Sequence, residues 1–416
     1  MEKERLVIKN FGPIKSVDLD LGKITILIGE QASGKSTIAK VLSICRYFSY
    51  IVNYEVPITE LENFNENEQF MQGLYDWDIA SYLQEDSQII FENSLYKFEF
   101  RNKLITEYET VISENDLEKK YYEIKTRIKS NSKKFTELLE ELQKLKEDEH
   151  KDLEENNIIW LGQSWSPNEN FYRLNVKKVM DNPLYIPTER VIQSQSIGND
   201  LLVSDSLRDE LAKLNRIRRG FNVDINIQPL SLTYKNKNGL GFIKGSNDKE
   251  FHALHNGASG FQSIIPIVLA IEFYSKFDKR KRTFILEELE QNLFPKAQKE
   301  LLEFLVQAVN KHNHTLILTT HSPYILTALE NLMYAEKLAN ESLGAFFGEV
   351  SEIIKPGYWI NQKNVNSYFL EKGGAKDIMQ RKEVLIDKDY IDSVSGIIND
   401  DFDRLLDIEL KLEKQS

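Results

Sequence analysis

Cysteine is nearly absent. Cys45 is the only one in 416 residues, so neither a disulfide framework nor a cysteine-based metal cluster holds this chain together. Cys45 sits among apolar residues of a predicted helix, which fits a reducing compartment, and the expected location is cytoplasmic. No stretch approaches the roughly 18 consecutive apolar residues of a membrane span. The opening MEKERLVIKNF has no apolar signal region after its charges. The chain is therefore expected neither to span a membrane nor to be secreted. An excess of positive charge is also missing: 53 Lys and Arg stand against 65 Asp and Glu, a formal net charge of -12. That balance argues against broad attraction to nucleic acid, although a local basic patch would escape it.

What is present is enough apolar residue for a proper core, 41% of the chain with 28% charged, in one large domain with an insertion or two modest ones. Short strands are predicted at 5–10, 15–20 and 23–28, and a helix from Gly34 to about Tyr50. Alternation at 88–92, 95–101 and 104–111 predicts a half-exposed antiparallel sheet. From about Asp116 an apolar seam runs through Leu117, Tyr121, Ile124, Ile128, Asn131, Phe135, Leu138, Leu142 and Leu145. It reads either as one long helix with Asn131 as a polar register position or as a helical hairpin turning at Ser130–Ser132.

Strand character returns at 183–187, and Asn238-Gly239 marks a hairpin. A helix follows over 259–277, then a strand at 283–286, a helix at 295–311, a strand at 315–319 and a helix at 323–338. Alternating apolar strands and helices predict an α/β fold around a mostly parallel sheet covered on both faces. The organisation is an N-terminal part over 1–112, a coiled-coil-like helical insertion over 113–182, a second part over 183–340 and a C-terminal α/β extension over 341–416.

The chemistry begins with Gly29-Glu30-Gln31-Ala32-Ser33-Gly34-Lys35-Ser36, which has the P-loop spacing and continues into Thr37. An apolar strand leads in and a helix leads out. Backbone N–H groups of Gly29, Gln31, Ala32, Ser33 and Gly34 would wrap the phosphates of ATP. Lys35 would reach the β and γ oxygens, and the Ser36 hydroxyl would ligate Mg2+. The strand at 283–286 ends in Glu287-Glu288. The first acid would hold magnesium through water, and the second would orient and polarise the attacking water. The strand at 315–319 ends in Thr320-His321-Ser322-Pro323, placing an imidazole at the edge where a γ-phosphate would lie. Asn256–Ser263 opens a long apolar helix with Ser259-Gly260, which suits either an anion site or ordinary capping.

Taken in order, IKNFGPIKSVDLDLGKITILIGEQASGKST, ASGFQS, LEELEQNLFP and TTHSPYIL resemble the ATP-binding-cassette heads of the SMC and RecF class, and most of all the OLD-like bacterial ATPases. The resemblance covers residues 1–50 and about 183–340. It implies a P-loop head with an antiparallel β subdomain that hydrolyses ATP with Mg2+. It also implies that Ser259, Gly260 and Gln262 act in trans on the γ-phosphate bound to a second copy, in a homodimer or higher homo-oligomer. Leu289 stands where the family usually has proline, which is expected to loosen the loop after Glu288. Tyr185–Arg190 is similar to a segment of the same ATPases. There Arg190 could stabilise developing charge or form a buried pair with Glu189.

The resemblance further implies a head of the kind that serves bacterial anti-phage systems, such as the PtuA subunit of Septu and the AriA subunit of PARIS, which pair an ATPase with a separate effector protein, here expected to be a nuclease or toxin. Two other readings stand beside that one: a DNA-repair ATPase that clamps DNA directly, and a slow-turnover scaffold that stays ATP-bound. OLD enzymes also carry a nuclease with an Asp-x-Asp pair. Asp387-Lys388-Asp389 has that spacing, but 345–354 and 364–372 read as short strands and 399–414 as a terminal amphipathic helix. With no parallel-sheet strand expected ahead of them, these acids read as solvated loop residues.

Overall fold

A computed structural model describes residues 4–50, 65–93, 96–110, 183–194, 203–220, 224–227, 232–278, 281–341 and 345–387. The heptad-like seam at 117–145, the rest of the 113–182 insertion and the expected terminal helix lie outside the described residues.

The main sheet has eleven strands in the order β6-β5-β4-β1-β2-β15-β14-β3-β13-β12-β7. Its antiparallel arm is built from β1 (Glu4–Phe11), β2 (Ile14–Leu21), β4 (Leu83–Glu92), β5 (Tyr96–Arg101) and β6 (Leu104–Thr110). Its parallel half is built from β3 (Ile24–Gly29), β7 (Leu184–Ile186), β12 (Thr283–Leu286), β13 (Thr315–Thr320) and β14 (Val365–Glu371). The short β15 (Gly374–Asp377) joins the halves by pairing with β14 and β2. A separate four-stranded sheet contains β8 (Ile225–Ile227), β9 (Leu232–Lys237), β10 (Leu240–Gly245) and β11 (His252–Ala253). A two-stranded ribbon joins β16 (Met379–Gln380) to β17 (Leu385–Ile386).

The central strands are apolar on both faces because helices cover both. Ile24, Ile26, Ile28, Phe284, Leu286, Leu316 and Leu318 face one core, together with α4 (Ser259–Phe273), α5 (Pro295–His312) and α6 (Pro323–Glu341). Their alternates Leu27, Ile285 and Ile317 face the other, with α1 (Lys35–Tyr50) and α2 (Glu66–Asp76). Each fully buried aliphatic side chain of this kind stabilises the fold by about 1.5–3 kcal/mol before entropic costs. α3 (Asp205–Gly220) adds Leu214 and Ile217 to the first of these cores and packs beside α4 and β7.

Two expectations are corrected. Residues 345–354 hold a helix, α7 (Phe347–Ile353), and not a strand. Val350 is the one buried residue of this helix while Phe347 and Ile353 are exposed, a one-sided burial that fits a short surface helix and not the alternating burial of a strand. The second concerns the strand before Asp387. β14 is an apolar strand of parallel-sheet type, in register with β3 from Val365 opposite Ile24 to Leu370 opposite Gly29. The stretch expected as a C-terminal extension thus threads a strand into the interior of the main sheet, beside the strand that leads into the P-loop. Asp387 follows β17, and its amide donates to the Ile378 carbonyl at 2.8 Å. Lys388 and Asp389 lie outside the described residues.

Candidate nucleotide-binding site

β3 ends at Gly29, and α1 begins at Lys35. The loop between them is shaped by Gly34, whose φ of 98° lies in the left-handed region and whose Cβ would collide with the Ile14 side chain of β2. Lys35 is buried, and its ammonium donates to the carbonyls of Gly29 (2.9 Å) and Glu30 (2.7 Å) and to Ser33 Oγ (3.4 Å). Burial lowers its pKa, opposed by the charges of Glu288, Glu290 and Glu287. The charge of all three carboxylates thus acts on the P-loop lysine. Gln31, Ala32 and Ser36 are exposed, Ser33 is half-buried, and Thr37 is buried. The free N–H groups at the start of α1 complete a surface suited to phosphate.

β12 delivers Glu287 at its C-terminal end, where the Glu287 amide donates to the Ile186 carbonyl at 3.0 Å. The side chain is buried, and Oε1 has no protein hydrogen-bond partner. The buried Tyr185 hydroxyl, likewise without a geometric partner, faces it: burial pushes that phenol well above its ordinary value, and Glu287 pushes it further. An orphaned buried carboxylate oxygen is costly. Water bound to Mg2+ would satisfy it, and the exposed Ser36 hydroxyl is a second oxygen of the hard type that magnesium takes. The residues present therefore fit that ion.

Glu288 has φ of 44°, an unusual conformation for a residue with a side chain. Its amide donates to Thr319 Oγ1 at 3.1 Å, and its carboxylate lies 4.0 Å from His321 Nε2. His321 is held in turn by Glu290, which accepts from the His321 amide (2.5 Å) and from Thr320 Oγ1 (2.7 Å). Sequence spacing alone assigns no role to Glu290 or to Tyr185. The Glu-x-Glu spacing across a strand end was the available signal for Glu290, while nothing local marked Tyr185. The expected loosening at Leu289 is not found. Leu289 is fully buried, and its amide, which a proline would lack, donates to the Thr319 carbonyl at 3.4 Å.

Arg190 is fully buried and meets backbone carbonyls: Nη1 donates to Pro187 (2.9 Å) and Glu287 (2.7 Å), Nη2 to Glu288 (2.8 Å) and Nε to Ser263 (3.2 Å). The Glu189 carboxylate instead accepts from Thr188 Oγ1 at 3.0 Å. Burial lowers the guanidinium to about 10 against the opposing pull of Glu287, Glu288, Glu290 and Glu189, so it is charged at neutral pH. The geometry makes Arg190 a strut that ties β7, the strained Glu287-Glu288 turn and α4 together. Arg190→Ala should lower stability by about 3 kcal/mol or more, since four carbonyls, three of them in buried contacts, lose their donor. An unchanged melting temperature would contradict the strut.

The element at the head of α4 is arranged differently. Ser259 is exposed and makes no hydrogen bond to the P-loop, and a Cβ on Gly260 would lie 3.0 Å from the Asn292 carbonyl. Gln262 is buried and turned back, its amide donating to the carbonyls of Gly257 (2.9 Å) and His255 (3.2 Å). One chain thus gathers Lys35, Glu287, Glu288, Glu290 and His321 while leaving Ser259 facing outward.

A P-loop between a parallel strand and a helix, with acids at the end of the strand beyond its neighbour and a histidine at the end of that neighbour, defines a P-loop ATPase of the ATP-binding-cassette type. A family model described as "AAA domain, putative AbiEii toxin, Type IV TA system" matches residues 24–327, and the chain belongs to that family. No curated protein sequence matches it. Among solved structures it is similar to the SMC head domain from Thermotoga maritima, at 11% identity over 91% of this chain and 98% of that one, with a TM-score of 0.37. A Pyrococcus furiosus Smc head bound to the C-terminal domain of ScpA gives 9% identity over 91% and 96%, with a TM-score of 0.34. The recombination mediator RecF gives 10% over 91% and 98%, with a TM-score of 0.33. No helix among the described residues is long and apolar enough to cross a membrane.

Proposed function

We propose that this ATPase closes head to head on ATP as a homodimer and that the closed pair controls a separate effector protein, a nuclease or toxin, in bacterial anti-phage defence. Lys35 and the loop amides of Gly29–Ser36 hold the triphosphate. Ser36 and Glu287 would hold Mg2+, which would supply charge neutralisation for the triphosphate. Glu288 accepts a proton from the attacking water, and His321, fixed by Glu290, donates to the γ-phosphate. The observation that carries the dimer is the outward-facing Ser259, which makes no hydrogen bond to its own P-loop and so suits a second copy's γ-phosphate. The family description, with its toxin and type IV system, supports the pairing with an effector.

Mixing Lys35→Ala chains with Ser259→Arg chains tests the trans arrangement. Each variant alone should be inactive. In a mixed dimer one composite site keeps both Lys35 and Ser259, so random pairing in a two-fold dimer should recover about a quarter of wild-type turnover. No recovery, with mixed dimers demonstrated, would contradict it. Co-purification with the products of neighbouring genes tests the effector, and a chain that elutes alone in both nucleotide states would count against one.

A further inference from the structure

The whole chain is acidic, yet residues 213–252 carry eight lysines and arginines against three acids. The four-stranded sheet shows where these cations go. On β9 and β10 the residues alternate, with Leu232, Tyr234, Gly241 and Ile243 buried against the core. The other set faces outward in register: Lys237 opposite Leu240, Lys235 opposite Phe242, and Thr233 opposite Lys244. Phe251, just before β11, lies beneath two of these ammonium groups, with Lys235 Nζ 5.6 Å and Lys244 Nζ 5.9 Å from its ring centroid. The tip of the hairpin meets the end of α3. Asn236 Nδ2 donates to the Arg218 carbonyl at 2.8 Å, and the Arg219 side chain passes within 3.7 Å of where a Cβ on Gly239 would stand. Arg219 thereby extends the same basic edge, and Arg216 is exposed one turn earlier on α3.

Elsewhere on the described surface several cations sit against acids, as in Arg5–Asp18, Arg208–Asp205, Lys299–Glu303 and Arg381–Asp377. On this face Lys235 pairs with Asp224 at 3.5 Å, both groups about half exposed, and Asp248 past the end of β10 accepts from the Gly245 amide at 2.8 Å. Lys237, Lys244, Arg216 and Arg219 have no ion pair among the described residues. Grouped like charges that outnumber their counter-charges repel one another, a cost that an incoming polyanion removes. We infer that the outward face of this sheet, with Arg219 at its edge, binds single-stranded nucleic acid: the cations track the phosphates while unstacked bases lie on Phe242 and Phe251. The rings decide between strand types. A duplex keeps its bases stacked inside and offers an aromatic platform nothing, whereas a single strand presents a ring at every nucleotide.

The test uses the full chain and fluorescence anisotropy with labelled 30-nucleotide oligo-dT and a 30-base-pair duplex. Wild-type protein should bind oligo-dT, and Lys235→Glu, Lys237→Glu and Lys244→Glu together should weaken binding by about 30-fold or more. The same triple change should reduce the slope of log affinity against log salt by about 2, since each neutralised phosphate of a single strand contributes about 0.7. Phe242→Ala with Phe251→Ala should cost about tenfold on oligo-dT and nothing on the duplex. An unchanged melting temperature and basal ATPase rate will show that the variants are folded, and Lys237→Glu with Arg219→Glu at the hairpin tip serves if the triple variant is not. No oligo-dT binding at low salt, or undiminished binding by the charge-reversed protein, overturns the inference. So does equal affinity for the duplex regardless of the phenylalanines, or an equal effect on heparin or phosphatidylserine vesicles. None of the binding readouts requires ATP, so they stand apart from the dimer proposal.

Discussion

Lys35→Ala is expected to remove ATP binding at concentrations that saturate the wild-type chain. The Lys35 ammonium is buried in the loop and held on the carbonyls of Gly29 and Glu30, where an incoming triphosphate must find it. Three carboxylates, Glu288, Glu290 and Glu287, act on the same ammonium. Without it they would face the phosphates uncompensated. One charge pair at about 4 Å with an effective dielectric near 20 is worth about 4 kcal/mol, or roughly a thousandfold in affinity. Isothermal calorimetry measures this directly, and an unaltered dissociation constant would remove the site from residues 29–36.

Glu288→Gln is expected to leave ATP binding nearly intact and to slow hydrolysis by about 100-fold to 10,000-fold, the usual contribution of a positioned general base. Glutamine keeps the shape, and the turn is held through its backbone: the Glu288 amide by Thr319 and the Glu288 carbonyl by Arg190. The protein should therefore fold and close but not turn over. Glu287→Gln should differ, because Glu287 is the buried acid with an orphaned oxygen. That change should weaken the magnesium dependence of binding. Single-turnover hydrolysis together with a magnesium titration separates the two. If Glu287→Gln gives the slow-hydrolysis phenotype and Glu288→Gln does not, the two acids are assigned in reverse. Wild-type turnover no faster than the Glu288→Gln background would instead favour an ATP-bound scaffold.

Much of this was readable along the chain because it depends on local spacing. The P-loop, the acids after Leu286 and the histidine after Thr320 are each set by a strand end and the next few residues. The strands that carry them are short apolar runs bounded by turn residues. Arg190 was the ambiguous residue. Its sequence neighbour Glu189 suggested an ion pair, but its partners come from Pro187, Ser263, Glu287 and Glu288, three of them more than 70 positions away. Tyr185 had no local signal for the same reason: it meets Glu287 only because β7 and β12 pair in register, with Ile186 opposite Leu286.

The basic sheet face shows how composition can mislead. A net charge averages over the chain, whereas a partner meets only the cations that strand alternation turns outward on one side.

By itself the sequence determined the nucleotide chemistry, since a phosphate loop, a strand-end acid and a strand-end histidine are properties of contiguous residues. It also determined the α/β class, through the alternation of apolar strands and helices. Tertiary structure alone decided that β14, from the far end of the described chain, lies beside β3, that Glu290 holds His321, and that Arg190 clamps a strained turn. Strand order and long-range hydrogen bonds depend on how distant segments share one core, and no window of neighbouring residues encodes that packing.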